Sequence, residues 1–86
     1  VTTTRIDIWL FHARFYRTRA LAQAAASAGK VRLNGTRVEK PAHTLKPGDI
    51  LTLGRGSEIV VLRVMALAER RGPAPQARLL YEIVAD

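Results

Sequence analysis

The sequence predicts an α+β fold, in which two N-terminal helices and a β-hairpin pack on a small, mainly antiparallel sheet. Three observations predict it. Apolar residues recur with helical spacing up to about residue 28, an Asn-Gly pair interrupts an alternating stretch at 34–35, and β-branched runs dominate 50–65. Eighty-six residues without cysteine suit one domain with a modest core, no disulfide frame and no thiolate metal site.

Residues 5–16 read as the first helix. Ile6, Trp9, Leu10 and Ala13 share one face, and Trp9 belongs to the core. Ile8, Phe11 and Phe15 form a second stripe, either buried as well or left open as a stacking platform for an unpaired base. Asp7, beside Arg5 in the first turn, reads as a helix-start or salt-bridge residue. Thr18 is the expected N-cap of a second helix reaching about Ala28, and Gly29 is its expected stop. That helix should bury Leu21, Ala22, Ala25 and Ala28, and present Arg19, Gln23 and Ser27 as a polar ridge.

Val31–Leu33 and Thr36–Val38 flank Asn34-Gly35, the favoured pair for a two-residue turn with positive φ at both central positions. Alternation buries Val31 and Leu33 and turns Arg32 to the other side. Pro41 and Pro47-Gly48-Asp49 mark a connection. Residues 50–53 and 58–65 read as strands joined by a turn at 54–57, and Pro73 opens a short helix to about Leu80 before a last strand at 81–84.

Charge is distributed unevenly along these elements. Residues 1–48 contain nine basic and two acidic residues and carry the whole net charge of +7, whereas residues 49–86 contain five of each. Arg outnumbers Lys eleven to three, and Arg is the better fork for phosphate. A basic half beside a neutral half points to a nucleic-acid surface. No apolar stretch approaches a bilayer span, so the expectation is a cytoplasmic protein without membrane contact.

Catalysis finds little support. His12 and His43 are the only histidines and lack metal-ligand spacing, Ser27 and Ser57 lack His and acid partners, and Gly54-Arg55-Gly56 is too short for a nucleotide loop. The reading is therefore a non-enzyme with no cofactor and no metal. The candidate RNA-contacting residues are Arg5, Arg17, Thr18, Arg19, Gln23, Lys30, Arg32, Asn34 and Lys40, with Arg19, Gln23, Lys30 and Arg32 at the centre. Thr18 is chiefly a cap and Asn34 chiefly a turn residue, and Arg14 falls on another angle of the first helix.

The ordered set Arg5-x-Asp7-x-x-Leu10, Thr18-Arg19-x-x-Ala22, Gly29-x-Val31-x-x-Asn34-Gly35, Lys40-Pro41 and Gly48-Asp49 resembles the S4 RNA-binding domain family over residues 5–52. Residues 53–86 would then add supporting strands and a C-terminal segment to one domain spanning 1–86. Arg5–Leu10, Ala13–Ala22, Glu69–Pro73 and Leu79–Glu82 are similar to the bacterial heat shock protein 15 family within it. That resemblance implies an L-shaped helix-and-hairpin motif docked on ribosomal RNA. It also implies stress-induced binding of free large ribosomal subunits that hold a nascent chain on tRNA, and a basic C-terminal extension. Partners would thus be ribosomal RNA and the large subunit, with tRNA and non-specific DNA as further candidates, for a protein expected to be monomeric. The other reading is an S4 accessory domain of an RNA-modifying enzyme such as a pseudouridine synthase. Two departures stand out: Ala26 replaces a larger aliphatic residue, so core volume must come from elsewhere, such as Phe15, and Ala42 replaces a Ser or Thr.

Overall fold

The computed structural model describes residues 3–85. In chain order it contains β1 (Thr4–Arg5), α1 (Ile6–His12), α2 (Arg19–Ser27), β2 (Val31–Leu33), β3 (Thr36–Arg37), β4 (Thr44–Leu45), β5 (Ile50–Arg55), β6 (Glu58–Val64), α3 (Ala74–Ala77), a 3-10 turn at Arg78–Leu80 and β7 (Tyr81–Ala85). Five strands form an antiparallel sheet in the order β3-β2-β5-β6-β7. The expected α+β architecture is present. The hairpin, however, is not laid on the sheet. It is the edge of the sheet, because Val31, Arg32 and Leu33 pair with Leu53, Thr52 and Leu51.

The helix α1 is shorter than the expected 5–16. Arg14 takes φ 66, its N–H donates to the Phe11 carbonyl at 3.1 Å, and the Phe15 N–H donates to the Leu10 carbonyl at 3.1 Å. This left-handed exit satisfies two end-of-helix carbonyls and is usually made by glycine. Helical spacing at Phe15 therefore misleads: Phe15 has left the helix and is buried, with its ring 6.2 Å from Trp9 and 4.6 Å from Tyr81. Both Phe15 and Ala26 join the core, in keeping with the expected compensation for the small residue at 26.

At the other end of α1, the Ile6 and Asp7 N–H groups donate to the His43 and Pro41 carbonyls at 2.7 and 3.4 Å. Thr4 and Arg5 pair with Leu45 and Thr44 in a two-stranded ladder. Sequence reading took this region for a plain connection, since two-residue strands carry no periodic signal.

The α2 helix follows expectation at its ends. The Thr18 Oγ1 accepts from the Leu21 N–H at 3.1 Å, and Gly29, at φ 77, ends the helix with Lys30 N–H donating to the Ala25 carbonyl at 3.1 Å. Its buried face is different from the one expected. Ala22, Ala25 and Ala26 are buried, while Leu21 is 50% exposed and Ala28 lies outside the core. The helix has turned so that small residues alone meet the neighbouring elements, which brings the backbones close. The core beneath combines Ile6, Trp9 and Leu10 of α1 with Val31, Leu51, Leu53, Leu62 and Val64 of the sheet. The other face of the sheet lies open to solvent, because in β2, β5 and β6 its Arg32, Thr52 and Ile59 alternate with these buried positions.

Candidate nucleic-acid interface

The hairpin turn places the basic residues. Asn34 at φ 51 and Gly35 at φ 84 make the two-residue turn, which sets Arg32 directly opposite Arg37. Both are exposed, as is Lys30 just before β2. The Arg37 guanidinium lies against Gly29, so close that a β-carbon at Gly29 would collide with it. Gly29 thus does two things: it supplies the positive φ that ends α2, and it lets Arg37 cross to the end of that helix, where a cation suits the dipole. Arg19 and Gln23 lie one helical turn apart on α2, Arg19 exposed at the end of the helix away from the hairpin and Gln23 half-buried.

Sequence reasoning missed Arg37. The signal was available, since a two-residue Asn-Gly turn fixes the register and puts positions 32 and 37 opposite each other. Lys40 is exposed and shares an open hollow of about 330 Å³ with Arg37, Glu39 and His43. Arg17 is exposed in the bend between the two helices.

Three other candidates prove to be engaged within the protein. Arg5 donates from Nε and Nη2 to both carboxylate oxygens of Asp7 at 3.1 and 2.9 Å, and Asp7, wholly buried, also accepts from the Ile8 N–H at 2.8 Å. With 42% of its side chain exposed, Arg5 keeps only its outer edge for a ligand. The Thr18 hydroxyl oxygen is used as the cap. Asn34 accepts from the Ile50 N–H at 2.9 Å and donates to Asp49 at 3.2 Å, so its carboxamide pins the hairpin to β5.

Asp49 in turn accepts from the backbone N–H and the ammonium of Lys46, each at 2.9 Å. Burial pushes the Asp49 carboxyl up, but the Lys46 and Asn34 hydrogen bonds outweigh it and hold the group below its ordinary value of 3.8. This cluster is structural, and it ties the turn of the basic hairpin to the start of β5.

The segment after β6 straps across α1. The Trp9 Nε1–H donates to the Ala66 carbonyl at 2.9 Å, and His12 Nδ1 lies 3.1 Å from the Ala68 carbonyl. Arg14 donates to the Gly72 carbonyl at 2.9 Å. Arg71 donates to the Phe11 carbonyl at 3.2 Å and stacks on the Phe11 ring at 5.0 Å. An arginine of the strap therefore covers Phe11, one of the aromatics offered above as a stacking platform for a base.

Among the described residues, no three His, Cys, Asp or Glu side chains group so as to hold a metal ion, and no helix is long and apolar enough to cross a membrane. None of the ion pairs found among them (Arg5–Asp7, Lys46–Asp49 and Arg63–Glu82) involves Arg19, Lys30, Arg32 or Arg37.

Comparison with known proteins agrees with this fold. A family model of the S4 domain matches residues 4–51. Heat shock protein 15 of Escherichia coli strain K12 is 45% identical over 82 residues, which cover 95% of this chain and 61% of that protein. The small ribosomal subunit protein uS4 of Chelativorans sp. strain BNC1 is 39% identical over 72 residues, covering 81% of this chain and 35% of that one. A solved structure of heat shock protein 15 from Vibrio cholerae, described as trimeric, superposes with a TM-score of 0.90 at 37% identity, covering 96% of this chain and 83% of that one. The chain thus spans about three-fifths of the length of the curated heat shock protein 15 relatives that it matches.

Proposed function

The chain belongs to the S4 domain family, and from that membership we propose that it binds ribosomal RNA through the face formed by α2 and the β2–β3 hairpin. One observation carries the reading: Lys30, Arg32 and Arg37 stand exposed around the joint between α2 and the hairpin, Arg19 stands exposed at the other end of α2, and all four take part in none of the ion pairs found. Cations without an internal acceptor are available to phosphates. Arg17, Gln23 and Lys40 extend the face, Arg5 contributes its outer edge, and Thr18 and Asn34 hold the frame.

Binding on this reading is electrostatic capture plus fit to a folded RNA shape, with no chemical step. The likeness to heat shock protein 15 supports a finer assignment: the RNA lies on the large ribosomal subunit, and the protein acts under heat stress in recycling free large subunits that carry a nascent chain on tRNA. Sedimentation of lysate with and without heat stress tests this. Co-migration with free large subunits is the expected result, and absence from every ribosomal fraction would sink the reading.

A further inference from the structure

We propose that the open face of the sheet carries a pocket for one unstacked nucleobase, floored by Gly54 and Thr52, with the flanking phosphates held by Lys30 and Arg32. The proposal rests on the RNA reading above and names the part of the RNA that this face would grip.

Gly54 is the starting point. It lies inside β5, opposite Ile59, and its N–H donates to the Lys30 carbonyl at 2.8 Å. Its φ is not in the left-handed region, so the backbone does not demand glycine. Nor does packing: a β-carbon there would meet only the Lys30 carbonyl oxygen, at an ordinary 3.6 Å. Glycine weakens a strand, and where neither φ nor packing requires it, the close approach of a ligand is one of the causes it marks.

A hollow of about 450 Å³ lies over this glycine, a size that suits a small organic ligand. Gly54 leaves the middle of its floor without a side chain beside Thr52, so that a flat ring can rest on the peptide planes there. Ile59, 58% exposed, forms an apolar wall on one side. Lys30 and Arg32 line the other, and no carboxylate is among the lining residues.

A flat floor, an apolar wall and a cationic wall together describe a nucleotide: a ring bearing an anion. Arg32 and Arg37 face each other across the β2–β3 ladder, and their like charges add to the positive potential beside the hollow. A second hollow of about 420 Å³ shares Lys30 and Gly54 with the first and runs back past Leu21 and Ala24 of α2. It continues the groove along the side of α2.

The test compares a short single-stranded RNA carrying a fluorescent adenine analogue with a blunt RNA duplex of equal charge. Gly54→Leu fills the hollow. The expected result is a loss of about tenfold in affinity for the single strand, with duplex affinity and the salt dependence unchanged. Lys30→Ala should weaken both and flatten the salt dependence. Ile59→Ser, at an exposed position, serves if the leucine variant misfolds, and should cost about threefold on the single strand alone. Unchanged single-strand affinity in the folded pocket variants, or equal losses on both probes, overturns the pocket. If Lys30→Ala also leaves both affinities intact, the RNA reading itself has failed.

Discussion

At the β2–β3 edge of the sheet, Arg32 and Arg37 stand opposite each other and exposed, while towards the β6–β7 edge Arg63 lies 3.5 Å from Glu82. On the nearby strap, Arg71 donates to a helix-end carbonyl and stacks on Phe11, and Arg14 reaches from the end of α1 to Gly72. The same side chain thus serves as a free cation at one edge and as a clasp near the other. The difference lies in local acceptors. The strap brings Arg71 to the Phe11 carbonyl and ring near the C-terminal end of α1, where a cation suits the dipole, and offers its own Gly72 carbonyl to Arg14. The hairpin's turn is already satisfied by Asn34 and Asp49, and among the described residues its Arg32 and Arg37 take part in none of the ion pairs found.

The largest effect should come from reversing charge at the free edge. The double variant Lys30→Glu, Arg32→Glu should lower RNA affinity by about a hundredfold and reduce the slope of log affinity against log salt by one to two. Arg63→Glu and Arg78→Glu should stay within about twofold. Filter binding at fixed salt measures all of these, and equal losses at both edges would break the comparison.

Asn34→Ala should act on stability. It removes the bonds to Ile50 and Asp49 and puts a less suitable residue at φ 51, for an expected loss of about 2 kcal/mol in chemical denaturation. RNA affinity measured well below the melting transition should change little. A loss of affinity without a loss of stability would return Asn34 to the contact set.

Arg71→Ala sharpens the other side. Losing one hydrogen bond and the ring contact should cost about 1 kcal/mol of stability and leave RNA affinity unchanged.

The smallest effect concerns Asp49, whose folded carboxyl titrates below its ordinary value of 3.8. Its contribution is fully present above that value and is lost as pH falls through the lower, folded value. Thermal melts should therefore show stability declining below about pH 4, with a weaker decline in Asp49→Asn. Identical acid profiles would mean that the cluster does not pin the hairpin.

Much of the frame was legible in the sequence because its determinants are local. Thr18 and Gly29 bracket α2, Asn34-Gly35 sets the hairpin, and β-branched runs mark β5 and β6. Where local patterns ran on too far, they misled. Apolar spacing continued through Phe15, yet α1 stops at His12 because residues 13–15 close a left-handed exit and Phe15 packs against Tyr81, 66 positions later. Spacing likewise put Leu21 on the buried face of α2, whereas close packing of Ala22, Ala25 and Ala26 turned it outwards.

The sequence by itself determined the order of the longer elements, the basic half and the register that sets Arg32 against Arg37, since φ preferences, periodicity and charge are properties of neighbours along the chain. Only the tertiary structure decided which of those basic residues are free. Arg5 meets Asp7, Arg14 meets Gly72 and Arg71 meets Phe11, while Arg19, Lys30, Arg32 and Arg37 remain outside the ion pairs found. The physical reason is that a guanidinium group is bound by whichever acceptors the folded backbone brings to it, and two of those three partners lie 58 and 60 residues away along the chain.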